Sequence, residues 1–237
     1  MKPLIADVHM HSIMSGHAYG TIRELAQAAS ERGLQLIGIT EHGPAMPGTC
    51  HPIYFLNLVD APRVHQGVEL LYGSEVNLLK GGKICLEQQY MRRIDYAVLG
   101  IHNLCYENQG ITVNTDELIA AMADPVVRFI SHPDDSKFPL DYPALMEAAK
   151  HYDVALEMNN SSLRKPHVRL NCRENLMTML PMCAEKGVKI VVNTDSHDPD
   201  TVGDFSLAER LLKELNFPDE LIVNNDLETL KAFLKKR

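Results

Sequence analysis

Long apolar runs are missing from this 237-residue sequence, and none approaches the roughly 20 residues that a membrane-spanning helix needs. The first residues reach Asp7 without forming the apolar core of a signal peptide. Tracts of a single residue type are also missing, and 45% of the residues are apolar, which is enough for one full-sized core. We therefore expect a single folded domain over residues 1–237, located in the cytoplasm and without a membrane partner.

Clustered positive charge is scarce as well. The chain has 23 Lys and Arg residues against 31 Asp and Glu residues, a net charge of −8, and its one basic run is at residues 235–237. Binding along a nucleic-acid backbone needs clustered Lys and Arg, so this balance argues against nucleic acid as a partner. Neither GxGxxG nor GxxxxGKS/T follows any predicted strand, which removes the usual support for a nucleotide-binding sheet.

Cysteine is present without the spacing of a disulfide framework or a thiolate zinc site. The five residues are odd in number and form no CxxC pair. We expect all of them to be reduced thiols in a reducing compartment. They are Cys50, Cys85, Cys105, Cys172 and Cys183.

Short apolar runs do occur, and they alternate with helical patterns along the whole chain. Seven of them predict buried strands, at residues 4–8, 36–40, 69–74, 96–100, 127–131, 154–158 and 189–193. Thr21 and Glu24 form a capping box before the first helix, and Asn171 and Asp226 are predicted caps of later helices. Seven strand–helix units of about 34 residues each predict an α/β fold with a closed or nearly closed barrel. A doubly wound open sheet is the alternative.

Histidine and carboxylate side chains follow six of the seven predicted strands. They are His9, His11, His42, Glu75, His102, His132, Asp195 and His197, and His17 follows in the loop after the first strand. The carboxyl ends of barrel strands meet at one mouth, so we expect these nine side chains to share one volume. His9 and His11, two residues apart on a strand, can face the same ion. Because imidazole and carboxylate together suit Zn, Mn or Fe, the pattern predicts a multinuclear transition-metal site.

Other charged residues near these motifs have different predicted roles. Asp7 and Glu41 precede candidate ligands by two positions and one position respectively, and we expect them to accept hydrogen bonds from the ligating imidazoles. The four remaining histidines are predicted to lie at the surface. They are His51, His65, His151 and His167.

These motifs resemble the PHP (polymerase and histidinol phosphatase) superfamily. His9-Met10-His11, Glu41-His42 and Asp195-Ser196-His197 follow its motifs in order. The resemblance is strongest to the stand-alone YcdX-like phosphatases, notably in His17-Ala18-Tyr19-Gly20 and Asn159-Asn160-Ser161-Ser162. It implies a distorted (β/α)7 TIM-like barrel that holds three divalent transition-metal ions, zinc in the first place, with manganese or iron as alternatives. Glu41 stands where the family more often has Asp.

The resemblance also implies how the nine residues divide among the three ions. One ion would be bound by His9, His11, Glu75 and Asp195; a second by Glu75, His102 and His132; and a third by His17, His42 and His197. These ions would make the pocket positive although the chain is acidic, so it would attract a phosphomonoester dianion. A water held at His9, His11, Glu75 and Asp195 would be the nucleophile, and no Ser or Cys nucleophile would be needed.

The function expected from these residues is hydrolysis of small phosphomonoesters, with phosphate as product or inhibitor. Arg164, Lys165 and Arg169 are candidate substrate contacts. Three alternatives remain open: an amidohydrolase-like enzyme, which usually has a Lys at a strand end; a non-catalytic metal-binding module, as in PHP domains attached to polymerases; and a histidinol-phosphate phosphatase. The residues indicate no particular oligomeric state.

Overall fold

The computed structural model describes residues 1–235, so two residues of the predicted basic run, 236 and 237, lie outside it. Within these residues one sheet contains all nine strands. They are β1 Ala6–Met10, β2 Leu36–His42, β3 Val64–His65, β4 Val68–Leu79, β5 Lys83–Ile84, β6 Ala97–Gly100, β7 Val127–Ile130, β8 Ala155–Asn159 and β9 Ile190–Asn193. Strands β1, β2, β4, β6, β7, β8 and β9 are parallel neighbours in that order, while β3 and β5 pair antiparallel with β4.

The seven parallel strands are those predicted from the sequence, with shifted ends. The largest shift is in β4, which continues to Leu79, five residues past the predicted end at Ser74. Its extension is stabilised by a hairpin in which Leu78 pairs with Ile84 of β5. Glu75 therefore lies inside a strand instead of after it, and so does His42 in β2.

Helices connect the strands. They are α1 Ile22–Glu31, α2 Ile53–Leu56, α3 Gln88–Met91, α4 Ile111–Met122, α5 Tyr142–His151, α6 Asn160–Arg164, α7 Cys172–Lys186, α8 Ser206–Glu214 and α9 Leu227–Leu234. The predicted capping box at Thr21 is confirmed, and Asp226 caps α9 by accepting a hydrogen bond from the Thr229 backbone at 2.8 Å. Asn171 lies at the predicted N-cap position of α7, but its side chain makes no capping hydrogen bond: the backbone there is left-handed with φ 52°, and the side chain donates to Ser136 instead.

The apolar core lies on both faces of the sheet. Alternate residues of β9 divide between two clusters, with Ile190 and Val192 in the larger and Val191 in the smaller. The larger cluster packs the strands against the surrounding helices, and the smaller fills the barrel interior. Phe233 and Leu234 of α9 belong to the smaller cluster, so the last helix closes one end of the barrel.

The side-chain amide of Asn224 joins the first and last strands of the barrel. Backbone pairing between β1 and the segment after β9 is limited, among the described residues, to one isolated parallel bridge, Met10 with Ser196. The buried amide of Asn224 donates to the carbonyls of Ala6 (2.8 Å) and Val192 (2.6 Å), and it accepts from the Val192 N–H at 3.0 Å. These bonds replace missing backbone pairing, so the fold is the expected distorted (β/α)7 barrel and not an open sheet.

No helix within residues 1–235 is long and apolar enough to cross a membrane. All five cysteines lie in this part of the chain, and none of them is paired in a disulfide.

Candidate metal centre

The nine side chains singled out in the sequence meet at the carboxyl ends of the barrel strands. Three overlapping groups have all their ligand atoms within 4.8 Å of one another: His9, His11, Glu75 and Asp195; His11, His42 and His197; and His42, Glu75 and His102. The other two residues lie beside them. His132 Nε2 is 2.9 Å from a Glu75 oxygen, and His17 Nε2 is 3.2 Å from His197 Nε2.

Glu75 lies at the centre of this cluster and is 1% exposed. Its two carboxylate oxygens face different imidazoles. Oε1 lies 2.9 Å from His132 Nε2 and 3.4 Å from His102 Nε2. Oε2 lies 3.4 Å from Nε2 of both His9 and His11. A carboxylate that presents each oxygen to a separate set of nitrogens has the geometry of a bridge between two cations.

Two polar atoms at this centre lack hydrogen-bond partners among the described residues. They are Glu75 Oε2 and His42 Nδ1, which lie only 3.0 Å apart. Buried polar atoms are rarely left without a partner, and an ion at the site is one of the few explanations for such a pair. The residues present therefore fit divalent cations.

The hydrogen-bond network fixes the tautomers of four imidazoles. Nδ1 of His9 donates to Glu157 at 2.7 Å, that of His102 to Asn77 at 2.7 Å, and that of His197 to the Asp195 carbonyl at 3.0 Å. The fourth case is His11, whose Nδ1 donates to the Ser15 hydroxyl at 3.0 Å. With the proton on Nδ1, each Nε2 offers its lone pair to the centre, as metal-binding histidines do.

Pairs of these nitrogens face each other at short distance. Nε2 of His9 and Nε2 of His11 are 3.3 Å apart, and Nε2 of His17 and His197 are 3.2 Å apart. Two imidazole lone pairs this close repel each other unless a cation lies between them. The donor set thus supports divalent metal binding at both ends of the cluster.

Charge and burial set the protonation of the cluster. Burial raises the pKa of the Glu75 and Asp195 carboxyls, but the surrounding imidazoles hold both pKa values well below their usual range. Burial and the charge of His11 lower the pKa of His42 to about 4 and that of His197 to about 3. At neutral pH both carboxylates are therefore ionised, and both of these imidazoles are neutral and able to bind metal.

His11 behaves in the opposite way. Burial lowers its pKa, but the close contacts of its Nε2 with Asp195 and Glu75 and the charges of both carboxylates outweigh burial and raise that pKa to about 9. A proton and a metal ion therefore cannot both occupy Nε2 of His11, the nitrogen that faces the two carboxylates.

Glu157 is a site residue that the sequence reasoning missed. It lies in β8, the one barrel strand without a predicted functional side chain, and its carboxylate is fully buried. It accepts from His9 Nδ1 (2.7 Å), the His132 backbone N–H (2.8 Å), and the side-chain amides of Asn159 and Asn193 (both 2.9 Å). A glutamate inside the otherwise apolar predicted strand at residues 154–158 was the available signal, since a buried carboxylate requires such partners.

The two carboxylates predicted to orient imidazoles behave differently from each other. Glu41 accepts from the Ser12 and Ser15 hydroxyls, both at 2.5 Å, and Ser15 in turn contacts His11. Glu41 therefore accepts no hydrogen bond from an imidazole directly, contrary to the expectation, and reaches the candidate ligand His11 through one serine.

Asp7 contacts no imidazole, so its expected role is wrong. Its carboxylate accepts from the Thr194 hydroxyl (2.5 Å), the Thr194 N–H (3.2 Å) and the Gly203 N–H (3.1 Å). Through these bonds it fixes the segment that carries Asp195.

The backbone is strained at two positions in the cluster. His132 has φ 31° and Asp195 has φ 50°, values that side chains other than glycine rarely adopt. Such strain persists where the surrounding structure holds it, and it is commonly found at functional sites. The His132 backbone N–H donates to the Glu157 carboxylate, and the Asp195 carboxylate accepts from Arg169, so both residues are held in place.

A cavity of about 510 Å³ opens above the cluster. Of the three predicted substrate contacts, Lys165 and Arg169 line it and Arg164 does not. Arg164 is the last residue of the short helix α6. Of the histidines predicted at the surface, His51, His151 and His167 are exposed and His65 is half-buried.

Comparison with known proteins identifies the family. The family model of the PHP domain matches residues 7–161. The chain belongs to the PHP domain family. The matched PHP segment contains seven of the nine clustered residues, and Asp195 and His197 lie beyond it.

Relatives of this PHP protein extend over nearly its whole length. A probable phosphatase of Caldicellulosiruptor bescii is 36% identical over 233 residues, which cover 98% of this chain and 96% of the relative. A probable phosphatase of Caldanaerobacter subterraneus subsp. tengcongensis is 38% identical over 240 residues, covering 99% and 92%.

Two solved structures share the barrel at low identity. Histidinol phosphate phosphatase from Lactococcus lactis, complexed with zinc, L-histidinol and phosphate, matches with TM-score 0.63 and 16% identity over 91% of this chain and 95% of that one. A chain of archaeal ribonuclease P with mature tRNA matches with TM-score 0.59 and 12% identity, over 97% and 89%. These likenesses concern the fold.

Proposed function

We propose that this PHP-family chain is a metal-dependent phosphatase that hydrolyses small phosphomonoesters. The observation that carries the proposal is Glu75, a buried carboxylate whose two oxygens face separate sets of imidazole nitrogens. The relatives named as probable phosphatases support it over nearly the full chain. The Lactococcus structure, which holds zinc and phosphate, supports a zinc centre and a small phosphorylated substrate.

Three ions account for all nine side chains. The proposed first ion binds His9, His11, Glu75 and Asp195, a set whose ligand atoms already converge. The proposed second ion binds Glu75, His102 and His132, which is supported by the contacts of both imidazoles with Glu75 Oε1. The proposed third ion binds His17, His42 and His197. Here the support is the close contact of His17 with His197 and the stacking of its ring on His42.

Zinc is the ion we assign, because imidazole and carboxylate ligands without thiolate suit it. Manganese and iron would accept the same ligands. When bound, such ions supply a water activated at neutral pH and positive charge for the phosphoryl oxygens.

The chain's own residues bind and orient the phosphoryl group. Arg169 donates one N–H to Asp195 at 2.8 Å, which fixes its guanidinium at the wall of the cavity. Its remaining N–H groups are available to phosphoryl oxygens, for which the planar guanidinium is suited. Lys165 also lines the cavity, where its positive charge attracts anionic substrates without being needed to hold the phosphoryl group. Glu157 holds the His9 ring in one tautomer and one orientation.

The amidohydrolase alternative receives no support from the site. Enzymes of that type usually place a lysine at a strand end, and no barrel strand within the described part of the chain ends in lysine.

Phosphatase activity is tested with metal-replete protein and a generic aryl phosphate. We expect hydrolysis that chelation abolishes and metal restores, and little cleavage of duplex DNA, because the positive site is small and the surface acidic. Glu75→Gln should abolish hydrolysis, whereas Glu185→Gln, at an exposed position of α7, should not. Robust nuclease activity without phosphomonoesterase activity would contradict the proposal.

A further inference from the structure

The cavity above the metal centre has a floor formed by candidate metal ligands and a wall formed by the other lining side chains, and the two differ in chemistry. Apart from the candidate ligands, the lining is largely apolar, and these side chains are Tyr19, Met46, Pro47, Leu104 and Val168. Among the described residues, the carboxylates that line the cavity are Glu75 and Asp195, and both belong to the floor. A group that projects from the phosphate towards solvent therefore meets apolar surface first.

Three of the apolar side chains are unusually exposed. Tyr19 is 79% exposed, Leu104 64% and Val168 44%, and they come from three separate loops around one opening. Isolated exposed apolar residues are common, but a ring of them around a polar cavity is typical of a ligand-binding mouth. An apolar alcohol group bound there would remove their surface from water.

Charge at this wall is of one sign. Arg169 is paired with Asp195, but Lys165 has no ion-pair partner within residues 1–235. A positive group on the substrate would meet this lysine with no carboxylate of the wall to compensate for it. A negative group on the substrate would find Lys165 available as a partner. The lysine can therefore discriminate between substrates by repelling cationic groups as well as by attracting anionic ones.

We propose that this cavity selects phosphomonoesters whose alcohol part is apolar next to the ester and carries a negative group further out. Lys165 is the residue that recognises the negative group. The inference rests on the phosphatase function proposed above. It separates this chain from an enzyme for amino alcohols such as the L-histidinol bound in the Lactococcus structure, because histidinol carries an ammonium group.

Three substrates of one shape test this selectivity: benzyl phosphate, 4-carboxybenzyl phosphate and 4-(aminomethyl)benzyl phosphate. Their substituents are remote from the ester oxygen, so the leaving groups are of similar reactivity. With metal-loaded protein we expect kcat/KM to fall from the carboxylate to the neutral to the ammonium compound, by about fivefold at each step. High salt should reduce both differences. The matching benzylphosphonates, which cannot be hydrolysed, should bind in the same order by calorimetry.

Variants assign the preference to one residue. Lys165→Gln should bring the carboxylate and neutral substrates to within about twofold, and Lys165→Glu should reverse the order. Lys150→Gln removes the same charge at the end of α5, which does not line this cavity, and should leave the order unchanged.

Equal kcat/KM for all three substrates, or a preference that survives in Lys165→Gln, would overturn the inference while leaving the phosphatase function intact. Failure to hydrolyse the three while the generic aryl phosphate is cleaved would also overturn the inference alone, whereas failure to hydrolyse any of the four would overturn the phosphatase function and the inference with it.

Discussion

Replacing Glu157 by glutamine tests whether the site depends on a residue that binds neither metal nor substrate. The carboxylate accepts four hydrogen bonds, from His9, His132, Asn159 and Asn193. A glutamine has the same shape, but its side chain accepts only at one atom and donates at the other. Whichever way the amide is turned, it places its own N–H groups against two of the four donors.

The expected cost follows from the burial of these groups. A buried donor left without a partner costs about 1–3 kcal/mol, so two of them cost about 4 kcal/mol. For a protein of this size that corresponds to a fall in Tm of about 8–16 °C. Loss of the partner that orients His9 should also weaken metal binding by about 10–100-fold.

Thermal unfolding, metal titration and aryl phosphate hydrolysis measured on one preparation of Glu157→Gln check these values. Glu147→Gln is the matched control, because its carboxylate is exposed and contacts only Lys186 among the described residues. We expect the control to keep wild-type metal affinity and Tm. A Glu157→Gln protein that binds metal as tightly as wild type would refute the role given to this carboxylate.

Three further outcomes are expected. His17→Ala should stay folded, retain about two ions and lose activity by orders of magnitude, because it removes one ligand of the proposed third ion only; an unchanged metal content with wild-type turnover would contradict the assignment. Asn224→Ala should lower stability by about 3 kcal/mol, since three buried hydrogen bonds between the first and last strands are lost, and an unchanged denaturation midpoint would argue against this closure. Metal uptake at pH 7 should release protons and tighten as pH rises towards 9, because the pKa of His11 is about 9 without metal; calorimetry in buffers of different ionisation enthalpy would show no release if that imidazole were already neutral.

The barrel could be predicted because its strands are buried on both faces and therefore appear as continuous apolar runs. Strand ends were harder to predict, since some polar residues of the site lie inside the strands, near their carboxyl ends. Glu75 is the clearest example: the sequence places it after a strand, whereas the hairpin with β5 extends that strand past it. The closure by Asn224 could not be predicted, because it depends on a contact between residues more than 200 positions apart.

The candidate ligands could be predicted because histidine at the ends of apolar runs is a local pattern. The supports of His9 and His102 could not, because the partner of each of these two imidazoles comes from another strand. Glu157 lies 148 positions from His9, and Asn77 lies 25 positions from His102. Arg164 was a candidate substrate contact, but it is the last residue of the short helix α6 and lies outside the cavity that Lys165 lines. The sequence alone does not show which of two neighbouring residues faces the cavity.

Metal content per chain tests the central claim most directly. Elemental analysis of protein expressed with sufficient metal should give close to three transition-metal ions per chain. Removal of these ions should abolish hydrolysis of an aryl phosphate, and their return should restore it. One tightly bound ion or fewer, in protein that hydrolyses the aryl phosphate at full rate, would contradict the account.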